Sequence, residues 1–216
     1  MSLLAATGLK REAALIAGPG VTAVVSGGRA DLLAERLMAA ADGATAVLSV
    51  GLAGALAPSL QPGDWVVASR VVAEGGEWAT EPKWSAALLR ALPAPSSGAI
   101  LGSGAMVLKA ADKLGAGRRT GALAVDMESH VAARVAQQLG LPFAAARVVS
   151  DCADDDLPPA VIVGMRPDGA MALRPVLQSL LSRPSQLPAL IRAGRHAERA
   201  FKALGGAQRL LLFLPL

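Results

Sequence analysis

Between Gly121 and Asp156 short apolar runs flank one amphipathic stretch, a pattern that predicts strand, helix, strand. Ala122 to Val125 are small and apolar, as a strand inside a covered sheet requires. Ser129 to Leu139 places Val131, Ala132, Val135 and Leu139 at helical spacing, and Gly140 with Pro142 stops the helix. Phe143 to Val149 is a continuous apolar run, short and β-branched at its end, the pattern of a buried parallel strand. Asp126 and Glu128 follow the first strand and Asp151 follows the second. Ligands of open α/β sheets bind at the carboxyl ends of strands, so acids from separate strands on one rim predict a polar small-molecule site.

The same alternation covers the rest of the chain. Leu3 to Thr7 predicts a first strand, opening at Gly8 into the helix L-K-R-E-A-A-L-I. Gly18-Pro19-Gly20 turns into a strand over Val21 to Ser26 that ends in Gly27-Gly28. Asp31 to Ala41 is an amphipathic helix, Thr45 to Val50 a third strand ending in S-V-G-L-A-G-A-L, and Asp64 to Ala73 a β-branched fourth. Glu81 to Leu92 is helical, P-A-P-S-S-G is a loop, a strand begins at Ala99 to Leu101, and a short helix lies near Ala110 to Leu114. Alternating strands and helices imply a mostly parallel sheet covered by helices on both faces. No repeat or composition break divides residues 1–216, which are expected to form one domain. Leu157 to Arg166 is of uncertain type, Ala170 to Leu181 and Leu187 to Leu204 are helical, and 185–216 is a basic C-terminal helix with an apolar tail, L-L-L-F-L-P-L.

Composition narrows the classes. Hydrophobic residues make up 53% against 18% charged, which favours an Ala/Leu/Val-packed globule over disorder. The net charge of +4 is mild, and without tyrosine or basic runs interleaved with aromatics no nucleic-acid partner is expected. Cys152 is the only cysteine, and His130 and His196 the only histidines, so neither a disulfide nor a metal site is expected. No basic region precedes the first apolar run, and no segment has the length to span a bilayer, so the expected location is the cytoplasm. Arg192, Arg195, Arg199 and Lys202 make one side of the last helix basic. That helix either lies on an anionic membrane surface as a peripheral contact or docks on the sheet.

Three motifs in register carry a family resemblance: S-V-G-L-A-G-A-L-A-P-S-L-Q-P-G-D-W-V-V, then A-V-D-M-E-S, then R-V-V-S-D-C-A-D. In this order they resemble the purine nucleoside phosphorylase and methylthioadenosine/S-adenosylhomocysteine nucleosidase superfamily over roughly residues 3 to 156. Within it, M-E followed by S-D-x-A-D and the basic C-terminal helix are most similar to the hopanoid-associated phosphorylases, or adenosylhopane nucleosidases. The resemblance implies a three-layer αβα fold with a mixed, mostly parallel central sheet, and cleavage of an N-glycosidic bond to adenine. It implies no cofactor, with phosphate a co-substrate only in a phosphorylase, and a homo-oligomer, a dimer favoured, with Leu52 to Leu60 and Trp65 to Val72 as interface segments.

Such cleavage passes through an oxocarbenium-like state and needs a protonated base, a stabilised sugar cation and a nucleophile. By resemblance Asp151 is the acid serving the purine N7, Glu128 the carboxylate on the ribose hydroxyls, and Glu12 the base for the attacking water. Met127 matches the residue packed on the sugar, and Met106 and Val107 fall where the base is sandwiched. Gly51 and Ser150 belong to the same substrate site. The residues alone allow plainer roles: Glu128 as a helix-terminal acid, Asp151 in a turn with Ser150, Glu12 as an exposed helix glutamate. Asp126 reads as a cap, Asp154 to Asp156 as a solvated acidic loop, and Cys152 as a small buried thiol.

The nucleophile divides the readings. Gly27, Gly28 and Arg29 form a possible phosphate cradle, with Lys10 or Arg11 in reach. Against it, Ser49-Val50-Gly51-Leu52 lacks the arginine and hydroxyl of the bacterial phosphorylases. Glu12 would also repel phosphate while suiting water. If the subfamily resemblance holds, the 5′ group is a hopane and the process hopanoid biosynthesis. Methylthioadenosine or S-adenosylhomocysteine salvage and a non-catalytic nucleoside-binding protein are the alternatives.

Overall fold

The computed structural model describes residues 2–163, 166, 168–170 and 172–206. Strand β1 (Ser2–Thr7) leads into helix α1 (Lys10–Ile16), β2 (Val21–Val25) into α2 (Ala30–Ala39), then β3 (Ala44–Ala55) and the hairpin β4 (Trp65–Ala73) and β5 (Gly76–Ala79). Helix α3 (Pro82–Ala91), β6 (Ser96–Gly102), α4 (Ala110–Thr120), β7 (Ala122–Asp126), α5 (Ser129–Leu139) and β8 (Phe143–Asp151) complete the alternation. The C-terminal part holds α6 (Ala160–Val163), α7 (Leu173–Ser182), a 3-10 turn at Pro184–Gln186, and α8 (Leu187–Gly206).

Five strand pairings are parallel and three antiparallel, so the sheet is mixed and mostly parallel, as expected. Its order is β2-β1-β3-β7-β6-β4-β5, and β8 pairs with both β3 and β4. The strands β3, β7, β6, β4 and β8 therefore close into a ring, from which β1 and β2 extend on one side and β5 on the other. The alanines of β8, Ala144, Ala145 and Ala146, are fully buried and let helices approach both faces. Leu33 and Leu37 of α2 pack with Val131, Ala132 and Val135 of α5 against one face. Ile16 of α1, Leu88 of α3 and Ala200 and Leu204 of α8 pack against the other. Helices on two faces of one sheet make three layers.

Several boundaries differ from expectation. Strand β3 runs through Gly51 and Gly54 to Ala55, because β8 pairs with it from Val47 to Gly54. Strand β6 starts at Ser96 rather than Ala99, and α4 extends to Thr120, where Gly121 in the left-handed region ends it. Strand β5, not anticipated, returns antiparallel on β4 through Glu74-Gly75, with Gly75 at φ 92°. The expected interface segment Trp65 to Val72 is a ring strand instead. Trp65, Val66, Val67, Ala68 and Val71 are buried within the chain, between β6 and β8. No described helix is long and apolar enough to cross a membrane, and the apolar tail beyond Gly206 lies outside the described residues.

Candidate active site

The strand register makes the site. On one edge of β3, β1 ends opposite Ser49 and β7 begins opposite Gly54. In that interval the Leu52 N–H donates to Glu12 Oε1 at 2.9 Å. The other oxygen, Oε2, accepts from Gly8 N–H at 2.7 Å and Leu9 N–H at 2.8 Å at the start of α1. Glu12 is thus a buried carboxylate held by three backbone amides, 3% exposed, and not an exposed helix glutamate. Burial pushes its pKa up, against the Arg147 charge and the three amide bonds, which pull it down.

Glu128 lies at the N-terminus of α5, yet its side chain does not cap the helix. Oε1 accepts from Ser26 Oγ at 2.7 Å, and Oε2 lies 3.5 Å from Arg147 Nη1. Capping falls to Asp126, whose Oδ1 accepts from Ser129 N–H at 2.9 Å and Glu128 N–H at 3.2 Å. Its Oδ2 pairs with Arg147 Nε at 2.6 Å. The Arg147 side chain is wholly buried in β8, and its Nη2 donates to Ser49 Oγ at 2.5 Å. One guanidinium thus serves a buried group of three carboxylates. Burial pushes the Glu128 pKa up to about 7; Asp126 and Glu12 add to the rise, and Arg147 and the Ser26 bond oppose it.

Asp151 closes β8 opposite Gly54. Its Oδ1 accepts from Ser150 Oγ at 2.9 Å, while Oδ2 accepts from Lys113 Nζ of α4 in a short bond. The fully buried Lys113 ammonium also donates to Cys152 O and Asp155 O, both at 3.0 Å. Asp151 therefore meets a charged partner, not only the apolar surroundings expected of it.

Glu12, Glu128 and Asp151 line one cavity of about 830 Å³ with Met106, Val107, Met127 and Ser150. Its far side is apolar: Leu157 and Val161 near α6, Val176 of α7, and Leu190, Ala197 and Phe201 of α8. Gly51 does not line it but stands behind it. A Cβ there would lie 2.8 Å from Arg147 Nη1 and 2.9 Å from Glu12 Cδ. The expected phosphate cradle is not brought to the cavity. Gly27 N–H donates to Gly8 O at 3.0 Å, Gly28 N–H to Ser26 Oγ at 3.0 Å, and Arg29 turns outward onto Asp31. Lys10 and Arg11 border the cavity but pair with Asp168 at 3.0 Å and Glu198 at 2.8 Å.

Arg147, Lys113, Ser26 and Ser49 were not anticipated. A single arginine inside the apolar run F-A-A-A-R-V-V was the one available signal, because a fully buried charge demands partners. Lys113 sits in a polar stretch and gives none. The acidic loop is less free than expected. Asp156 caps α4 at Ala110 N–H at 2.8 Å, and Asp155 binds Arg192 at 3.0 Å and His196 at 3.2 Å. Cys152 is half-buried rather than buried, with burial raising its thiol pKa. Cys152, Asp155 and His196 gather within 4.8 Å, a grouping the sequence did not suggest. The Arg192 guanidinium on Asp155 makes it a poor cation site.

The family model described as "Phosphorylase superfamily" matches residues 4–182. No curated protein matches the chain by sequence. Among solved structures, the chain is similar to Helicobacter pylori 5′-methylthioadenosine/S-adenosylhomocysteine nucleosidase, at 17% identity and TM-score 0.69, with 99% of this chain and 97% of that one covered. S-adenosylhomocysteine nucleosidase from Streptococcus pyogenes, in complex with 5-methylthiotubericidin, gives 18% identity and TM-score 0.69, covering 100% and 98%. Futalosine hydrolase of Helicobacter pylori gives 16% and 0.69, covering 98% and 97%.

Proposed function

Because this chain belongs to the phosphorylase superfamily, we propose that its cavity cleaves the N-glycosidic bond of an adenosine-type nucleoside with water as nucleophile. The observation that carries the reading is the convergence of Glu12 and Glu128 on one end of the cavity that Asp151 also lines. A Cβ on Gly8 would lie 3.1 Å from Glu128 Oε1 and 3.3 Å from Glu12 Oε2. Two buried carboxylates that close suit a sugar cation and a water molecule, and they repel phosphate. Glu12, raised by burial and fixed by three amides, takes a proton from water as it bonds to C1′. Glu128 accepts from the ribose hydroxyls and stabilises the developing cation. Asp151 protonates the purine as the bond to N9 breaks, while Met127 packs on the sugar and Met106 and Val107 on the base.

The apolar far side of the cavity supports a 5′ substituent that is large and apolar. A volume of about 830 Å³ lies toward the upper end of the roughly 300–1,000 Å³ of drug-sized ligand sites. Adenosylhopane fits that requirement better than methylthioadenosine. Leu177, Leu181, Leu187 and Ile191 of α7 and α8 are exposed beside that wall, which supports a peripheral membrane contact by the same helices. The test is adenine release from 5′-alkylthioadenosines of increasing chain length, in phosphate-free buffer and with phosphate added. Release without phosphate, with kcat/KM rising with chain length, is expected. Release only with phosphate, alongside a sugar 1-phosphate, would replace hydrolysis by phosphorolysis. A preference for the methyl thioether would restore the salvage reading, and no release at all would leave a nucleoside-binding protein.

A further inference from the structure

We propose that Lys113 is the positioning and proton-supplying partner of Asp151, so that a lysine–aspartate pair, not the carboxyl alone, delivers the proton to the leaving purine. The inference rests on the nucleosidase reading above. A lysine is almost never fully buried unless paired, and this one, itself outside the cavity lining, reaches from α4 to the Asp151 carboxylate that lines the cavity. Its three donors are all used, on Asp151 Oδ2, Cys152 O and Asp155 O. The two carbonyls fix the ammonium so that its remaining hydrogen points along one line, at Oδ2. Ser150 holds Oδ1 at 2.9 Å, so the carboxylate plane is fixed from both sides. Each carboxylate oxygen keeps a second lone pair for the purine.

The step balances without another reactant. The bond from C1′ to N9 breaks and its electron pair goes to the purine. N7 takes a proton through the Asp151 carboxyl, and Lys113 Nζ supplies that proton and becomes an amine. Water bonds to C1′ and loses its proton to Glu12. Adenine leaves neutral, and solvent returns the Glu12 proton to Lys113 before the next turnover.

A purely architectural role, pinning the 152–155 loop, predicts something different. The experiment compares Lys113→Met with the unmodified enzyme on two substrates sharing one 5′-alkylthio ribose: the adenine nucleoside, and the para-nitrophenyl riboside, whose phenolate leaves unprotonated. Circular dichroism and thermal melting check folding, and Lys113→Gln is the second variant if methionine is not tolerated. Adenine release is expected to fall in kcat by at least about 100-fold, the scale of general acid catalysis. Para-nitrophenolate release should fall by less than about 10-fold, since that transition state needs no proton. In the Asp151→Asn background the lysine substitution should add little further loss, as expected of residues acting as one unit. Equal losses on both substrates, or additive losses with Asp151→Asn, would overturn the proposal. Failure of the unmodified enzyme to release adenine would instead overturn the nucleosidase reading itself, and this inference with it.

Discussion

Replacing Glu128 by glutamine keeps the shape and an acceptor for Ser26 Oγ but removes a titration that folding strongly perturbs. An ordinary glutamate titrates near 4.5, and burial, opposed by Arg147 and aided by Asp126 and Glu12, pushes Glu128 up to about 7. At about 1.36 kcal/mol per pH unit, that separation is worth about 3 kcal/mol. The sign follows from which state holds the proton. Between pH 4.5 and 7 the folded chain keeps it and the unfolded chain releases it. The contribution is therefore complete below 4.5 and is lost as pH rises through 7. Urea unfolding of the wild type and Glu128→Gln, followed by far-ultraviolet circular dichroism from pH 4.5 to 8, reads this as a difference of two curves in which unrelated groups largely cancel. The variant should match the wild type within about 1 kcal/mol at the acid end and exceed it by up to about 3 kcal/mol at pH 8. Parallel curves would refute the burial argument, and a variant losing stability faster than the wild type would reverse its sign.

Arg147→Met leaves Glu12, Asp126 and Glu128 buried without their cation and should destabilise the fold by about 3–5 kcal/mol at pH 8. The loss should be smaller at pH 5, where Glu128, raised to about 7, holds its proton; urea unfolding at both values checks it. Gly51→Ala places a methyl 2.8 Å from Arg147 Nη1 and 2.9 Å from Glu12 Cδ, groups that cannot yield without breaking buried bonds. A cost of about 1–3 kcal/mol, read as a lower melting temperature, should accompany a loss of adenine release larger than any change in KM.

The layered architecture was legible because apolar runs of strand length alternate with helical spacing from Leu3 to Phe143. What local pattern could not convey was pairing. Phe143 to Val149 reads as a buried parallel strand, as its pairing with β3 bears out, but nothing in it names that neighbour or the antiparallel pairing with β4 that closes the ring. Nor does Trp65 to Val72 differ visibly from a surface strand that meets a partner chain. The extension of β3 past Gly51 and Gly54 was hidden for a related reason. Glycine weakens a strand reading, while here tertiary pairing with β8 overrides it.

The same division holds at the site. Glu128 and Asp151 were legible as carboxylates at strand ends and Glu12 only through the family resemblance, but their neighbours were not, since Ser26, Ser49, Lys113 and Arg147 come from four separate segments. The glycines link the two levels. Gly8, Gly51 and Gly54 each face a site carboxylate across the space a Cβ would fill. At Gly54 that Cβ would be 3.0 Å from Asp151 Oδ2, at Gly51 2.9 Å from Glu12 Cδ, and at Gly8 3.1 Å from Glu128 Oε1. The sequence marks Gly8 only as the opening of a helix, and it places Gly51 in the substrate site through the family resemblance, without this packing role. Each acid is held close to backbone, Glu12 and Asp151 to strand β3 and Glu128 to the bend after β1, because the residue opposite has no side chain. That proximity makes burial the dominant influence on Glu12 and Glu128. It also obliges the chain to bury an arginine beside them and a lysine beside Asp151. The two buried cations are thus consequences of the packing that draws three carboxylates to one cavity, and a substitution at any of the three glycines should disturb charge as much as shape.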